Sequence, residues 1–404
     1  MQWRLRKKCG IIRSMNRVRR VFSCGEESFF LFGPRGTGKT TWLNENMKGA
    51  YVVDLLKNDV RMRLAANPER LKDMVVANGD CNQIVIDEIQ KVPAVLDVVH
   101  SLMESYPSKR FVLTGSSARK LKRAGVDLLG GRALELKMHP FMACELGDSF
   151  DLDEALETGL VPVIGKYANR QRQLSAYLQL YIREEVEQEG LVRSLDAFAR
   201  FLEAMAFSHG GVLSASEISR ECMVKRATVD GYIQILRDLL IGNTLPVFSK
   251  RAKRRLVTHE KFYYFDAGVF RKLRPIGRLD SPADINGQAL EGLVYQHLCA
   301  YCDYSGHENA LSYWRTSGGA EVDFVVYTPD DFTAIEVKHS DKISNSDLEG
   351  LKLFGADYPE ATRILLYRGE EQIMKDGILL VPVERYLKEL VPGKRLPESQ
   401  WLHN

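Results

Sequence analysis

The sequence predicts an α/β protein in which two α/β units flank a helical middle. Three observations predict it. An apolar run ends in a glycine-rich loop that opens a helix near residue 33. Apolar strand-like runs then alternate with helical stretches to about residue 140. A second set of apolar strands, "EVDFVVY", "FTAIEVK", "TRILLY" and "GILLVPV", follows residue 320. Such alternation packs as a parallel sheet with helices on its faces.

At 404 residues the chain exceeds one ordinary core, so two or three domains are expected. Hydrophobic residues at 45% and charged residues at 27% fit a soluble globular protein. No apolar run is long enough to span a bilayer. The opening "MQWRLRKKCGIIRSMNRVRR" is basic but lacks an apolar segment and a small-residue cleavage site, so it is not a secretory signal. It reads as a solvated leader, with an amphipathic helix on membrane or nucleic acid as the alternative. Seven scattered cysteines match a reducing compartment, and a cytoplasmic location is expected. Cys299 and Cys302 have CxxC spacing, but no second pair accompanies them, and they read as core cysteines of a helix. A net charge of +3 is too small to mark a nucleic-acid binder, so the local basic clusters at 4–20 and 250–255 matter more.

"SFFLFG" reads as a buried parallel strand. Gly33-Pro34-Arg35-Gly36-Thr37-Gly38-Lys39-Thr40 follows, with Thr41 beginning a helix. This is G-x-x-x-x-G-K-[ST] between strand and helix. The glycines let backbone N–H groups wrap phosphates, and the helix N-terminus adds its dipole. Lys39 is expected to reach the β- and γ-phosphates, and Thr40 to ligate Mg²⁺. ATP and Mg are therefore the expected cofactors. "QIVIDEIQ" is a strand ending in Asp87, the expected Mg²⁺ holder, and Glu88, the expected base that polarises water. "RFVLTGSS" is a strand whose Thr114 or Ser116 would sit beside the γ-phosphate. "GAYVVDLL" supplies one more strand, and the nucleotide crevice is expected at the carboxyl edge of the sheet.

The run from "LFGPRGTGKTTWL" through "IVIDEIQKVP" to "FVLTGSSARKLKRAGVDLLGGRALELKMHPF" resembles the prokaryotic AAA-like ATPases. That resemblance implies a P-loop NTPase sheet. It also makes Arg132 a candidate contact to phosphate, in cis or from a neighbouring subunit of a homo-oligomer. Arg119 and Arg123 compete for the role.

In the middle, "SASEISREC" reads as a helix capped by Ser214 or Ser216. "MVKRA" turns, and "TVDGYIQILRDLL" is a second amphipathic helix. Strand-like "GNTLPVF" and "KFYYFD" follow, with "SKRAKRRL" between them. This is helix–turn–helix with a two-strand wing. Two readings stand. Either the second helix and Lys250, Arg251, Lys253, Arg254 and Arg255 meet DNA, or the winged helix serves packing or regulation.

Toward the end, "EVDFVVY" carries Asp323, and "FTAIEVK" carries Glu336 and Lys338 on one face of a strand. Glu291 precedes them in a helix. Helix with Glu, hairpin with Asp, then Glu-x-Lys is the order of a PD-(D/E)XK nuclease-type core. In such a core Asp323 and Glu336 would hold Mg²⁺, with Glu291 completing the shell, and Lys338 would orient water or steady charge. With "YYFDAGVF" and "NGQALEGLVYQHL", this part resembles the C-terminal domain of unknown function that accompanies those ATPases.

The expected division is a leader at 1–20, an AAA-like P-loop unit at 21–150, a helical lid at 151–194, a winged helix at 195–265, a nuclease-like unit at 266–390 and a tail at 391–404. The expected activity is ATP hydrolysis that controls the C-terminal module on DNA. A switch that binds protein partners and an ATP-dependent nuclease are the alternatives.

Overall fold

The structure is a computed structural model that describes residues 18–116, 131–166, 169–188, 192, 194–308 and 310–397. Arg119 and Arg123, residues 1–17 of the leader and residues 398–404 of the tail lie outside the described residues.

Five strands form the first sheet: β1 (Phe29–Phe32), β2 (Tyr51–Asp54), β3 (Gln83–Asp87), β4 (Arg110–Gly115) and β5 (Leu134–Lys137). Their order is β2-β3-β4-β1-β5, and every pairing is parallel. The helices α1 (Lys39–Asn46), α2 (Asn58–Ala66), α3 (Arg70–Ala77) and α4 (Val95–Ser105) make the crossovers. Phe30, Ile84 and Phe111 enter one core cluster, and Phe29, Leu31, Val85 and Val112 another. Successive residues point to opposite faces, so both faces of the sheet are covered, as a parallel sheet requires. β5 was not foreseen: "LELK" is an edge strand with three of its four residues exposed, so it lacks an apolar signature.

Next come α5 (Leu152–Thr158), α6 (Arg170–Gln188), α7 (Leu195–Phe207), α8 (Ala215–Cys222) and α9 (Arg226–Asp238). Ser214 is the α8 cap, accepting from Glu217 N. β6 (Gly242–Leu245) and β7 (Lys261–Tyr264) pair antiparallel. Single bridges from Val247 to Tyr313 and from Leu256 to Thr316 fasten the intervening basic segment to the second sheet.

Helix α10 (Ala267–Leu273) opens on Asp266, whose buried carboxylate accepts from Val269 N at 3.1 Å and Leu160 N at 2.7 Å. Burial pushes its pKa up to about 6, against those backbone donors. Gly268 packs so tightly on α5 that a Cβ there would stand 2.3 Å from the Thr158 carbonyl carbon. Helix α11 (Pro282–Tyr304) starts with a Ser281 cap and Pro282 in its first turn.

The second sheet has β8 (Leu311–Arg315), β9 (Glu321–Tyr327), β10 (Phe332–Lys338), β11 (Thr362–Tyr367), β12 (Ile373–Lys375) and β13 (Ile378–Pro382). Its order is β12-β13-β11-β10-β9-β8. β10, β11 and β13 are parallel, and the remaining pairings are antiparallel. α12 (Glu349–Asp357) and α13 (Val383–Glu389) complete the segment. One buried cluster runs from Met142 through α7, α9, β7 and α11 to Leu396. The middle and the C-terminal part thus share one hydrophobic core, while Trp314, Val325, Phe354 and Leu365 form a second cluster on the other face of the second sheet.

Candidate nucleotide site and a carboxylate cluster

The loop between β1 and α1 turns on two left-handed glycines, Gly36 at φ 78° and Gly38 at φ 99°. Only a residue without a Cβ adopts these angles freely. Gly33 is also required, because a Cβ would approach the Met138 carbonyl to 2.5 Å. Thr37 Oγ1 donates to Pro34 O at 2.8 Å and locks the turn. Lys39 is buried and donates to Gly33 O at 2.6 Å and Pro34 O at 3.2 Å. The Arg35 carbonyl accepts from Tyr177 on α6 at 2.9 Å.

The loop opens on a cavity of about 850 Å³ whose lining includes Arg20, Arg35, Lys39, Thr40, Thr41 and Glu88. Its size suits a nucleotide. Thr40 Oγ1 donates to Asp87 Oδ2 at 3.2 Å, so a hydroxyl and a carboxylate converge at the edge of the loop. That pair of hard oxygen donors fits Mg²⁺. Thr114 Oγ1 donates to the other Asp87 oxygen and accepts from Glu88 N at 3.1 Å. Glu88 is left-handed at φ 61°, a conformation uncommon away from glycine that concentrates at functional sites.

Two residues here escaped the sequence reading. Gln90 donates its amide to Glu88 Oε2 at 2.5 Å and Ser116 Oγ at 3.1 Å, joining the ends of β3 and β4. Arg20 donates to Thr37 O at 2.7 Å, His139 O at 2.7 Å, Glu145 at 2.9 Å and the Tyr304 phenol at 3.2 Å. Both are single polar residues without a motif. Their partners stand far off in sequence, so no spacing marked them.

Arg132 does not join this site. Leu134 pairs with Phe29 at the start of β1, so Arg132 lies at the amino edge while the glycine-rich loop leaves the carboxyl edge. Its guanidinium binds Glu104 at 2.9 Å and also His100, both on α4. The expected phosphate contact within one chain is corrected by this register.

In the second sheet the hairpin register brings Asp323 beside Glu336. Asp323 Oδ2 accepts from Val337 N at 2.9 Å, and Lys338 Nζ donates to Glu336 Oε1 at 2.7 Å. Glu291, on α11, accepts from Tyr263 OH at 2.6 Å. The predicted residues are therefore neighbours. Burial, then the charge of Asp323, holds Glu291 and Glu336 above the usual carboxylate range, against their lysine partners.

The metal expectation for Glu291, Asp323 and Glu336 fails a test of fit. Lys261 of β7, 1% exposed, puts its ammonium 3.2 Å from Glu291 and 3.4 Å from Asp323, and also binds Glu321. A positive charge already stands among the oxygens that would surround the ion. Among the described residues, no group of three or more His, Cys, Asp or Glu is arranged to hold a metal. In the sequence Lys261 is only the first residue of "KFYYFD", and one charge at a strand start carries no signal.

The basic stretch 250–255 is exposed. Arg254 is tied to Asp357 at 2.8 Å, and Lys250 lies over the Tyr327 ring. On α9, Arg237 turns inward to Thr244 and Glu260, and Gln234 binds Asp238. Among the described residues, no helix is long and apolar enough to cross a membrane.

Comparison with known proteins divides the chain in three. Residues 26–147 match the AAA domain (AAA_14), 149–280 a domain of unknown function (DUF8612) and 286–386 another (DUF4143). An uncharacterized protein of Mycobacterium tuberculosis is 26% identical over 364 residues, covering 88% of this chain and 80% of the relative. One from Haemophilus influenzae is 23% identical over 323 residues, covering 75% and 76%. The solved structure "Replication initiator DnaA bound to AMPPCP and single-stranded DNA" is 16% identical over 54% of this chain and 83% of its own, with a TM-score of 0.25. The glycine-rich loop, Asp87 and Glu88 therefore all lie within residues 26–147, the segment that matches the AAA domain.

Proposed function

We propose that the chain is a Mg²⁺-dependent ATPase whose nucleotide state controls its C-terminal part, a winged-helix and nuclease-like module that engages DNA. The observation that carries this reading is Arg20. One guanidinium bonds the Thr37 carbonyl in the phosphate loop and the Tyr304 phenol at the end of α11. Glu291 lies thirteen residues back along that helix, about 20 Å away at the helical rise. A change at the loop would thus reach the carboxylate cluster through one rigid element.

In the front site the loop amides and Lys39 bind and orient the phosphates. Bound Mg²⁺ would be held by Thr40 and Asp87, and would supply charge neutralisation to the phosphates. Glu88, aligned by Gln90, accepts the proton of the attacking water. Thr114 fixes the Asp87 carboxylate, and Ser116 holds the Gln90 amide that aligns Glu88. DNA would meet the exposed Arg251, Lys253 and Arg255, contacts that carry charge and little sequence information.

ATP turnover of the purified chain with and without duplex DNA tests the proposal. DNA-stimulated turnover, lost in Lys39→Ala, is the expected result. Turnover and ATP affinity both indifferent to DNA would remove DNA from the proposal.

A further inference from the structure

We infer that Lys261 is the resident cation of the carboxylate cluster, standing where a nuclease-type core would hold a divalent ion. The inference is independent of the ATPase reading.

The charge pattern leads to it. Glu291, Glu321, Asp323 and Glu336 come from one helix and two strands and crowd one end of the second sheet. Asp323 and Glu336 are buried and Glu291 and Glu321 half-buried, and carboxylates crowded there repel and need a cation among them. Lys261 Nζ fills that need, within 3.4 Å of Glu291 and Asp323 and bound to Glu321. The Tyr313 ring lies 5.4 Å from the same ammonium. A divalent ion shared by Glu291 and Asp323 would sit roughly 2.0–2.6 Å from their oxygens. The ammonium occupies that space, and both cations do not fit.

The lysine comes from the middle of the chain, while the acids come from the last third. The ion therefore closes the cluster and fastens β7 to α11 and β9 at once. Glu336 Oε2 is buried without a hydrogen-bond partner, so the cluster keeps a spare acceptor. Removing the ammonium would leave Lys338 on Glu336 and a vacancy of cation size among Glu291, Glu321 and Asp323, which a divalent ion could fill.

Thermal melting of the full chain without nucleotide, with and without Mn²⁺, tests this. Wild type should melt at the same temperature in both. Lys261→Met should melt lower and regain several degrees with Mn²⁺, and adding Asp323→Asn should abolish the gain. Lys261→Arg, which keeps the charge, should stay indifferent to Mn²⁺. Mn²⁺ stabilisation of wild type that disappears in Asp323→Asn would overturn the inference, as would a Lys261→Met protein that ignores Mn²⁺. If Lys261→Met does not fold, direct Mn²⁺ binding decides by electron paramagnetic resonance of wild type against Asp323→Asn. An Asp323-dependent ion in wild type overturns the inference, and the absence of one supports it.

Discussion

Arg20 and Tyr304, 284 residues apart in sequence, meet at 3.2 Å beside the phosphate loop. The same phenol oxygen accepts from His139 N at 2.9 Å. Tyr304→Phe keeps the ring and deletes both acceptor contacts. We expect a loss of about 1–3 kcal/mol in stability, from donors left without a partner. We also expect basal ATP turnover to persist while its response to DNA disappears. Denaturant melts alongside turnover assays check both halves. An unchanged DNA response in a destabilised protein would reduce the contact to packing.

Glu88 and Gln90 separate binding from chemistry. Glu88→Gln should bind ATP with near-native affinity and turn it over on the order of 10²-fold more slowly or worse. Gln90→Leu removes the amide that aligns Glu88 and should slow turnover about tenfold, the equivalent of one ordinary hydrogen bond. Single-turnover kinetics with equilibrium nucleotide binding distinguish the two effects. Full turnover in Glu88→Gln would remove Glu88 from the role of base.

His297 makes stability depend on pH. Its Nε2 accepts from Ala143 N at 2.9 Å, and its Nδ1 faces Leu293 O at 2.8 Å, so the buried ring is held neutral. Burial pushes its pKa down to about 4, while the Leu293 contact raises it. A base whose folded pKa is depressed contributes stability that is complete above about 6.5 and drains away as pH falls toward 4. The loss from this residue approaches about 3 kcal/mol by the low end. His209, pushed down to about 3 by burial, steepens the same limb. His297→Asn should flatten the profile between pH 6.5 and 4. Chemical denaturation at stepped pH measures the slope.

Gly268 is a packing test. A methyl there would meet the Thr158 and Gly159 backbone at 2.3–2.4 Å, and backbone does not yield as a side-chain tip does. Gly268→Ala should destabilise by about 3 kcal/mol, read as a lowered denaturation midpoint.

What could be read in the sequence was what lies close together along it. The loop from Gly33 to Thr41 is one unbroken stretch, and its strand and helix flank it directly. Asp87 and Glu88 end an apolar strand. Glu336 and Lys338 share a strand face by simple alternation. Arg132 misled for the opposite reason. It follows the β4 strand in sequence, but the chain must return to the amino edge before starting β5, and that return is invisible without a register. Lys261 and Arg20 were hidden because their partners lie in other elements, brought there by tertiary packing and by no local rule.

The cluster that begins at Met142 and ends at Leu396 also sets an order of events during synthesis. Phe150 packs on the His297 ring, and Ala143 donates to it. The His297 contacts of these early residues do not exist until the ribosome has delivered the long helix, and the cluster is not whole until the last strands arrive. The P-loop sheet has its own strands in hand by residue 137 and can close first. The middle helices can pack on one another early, as Phe198 and Phe201 do on Tyr232, but Phe150 must wait for a ring made more than a hundred residues later.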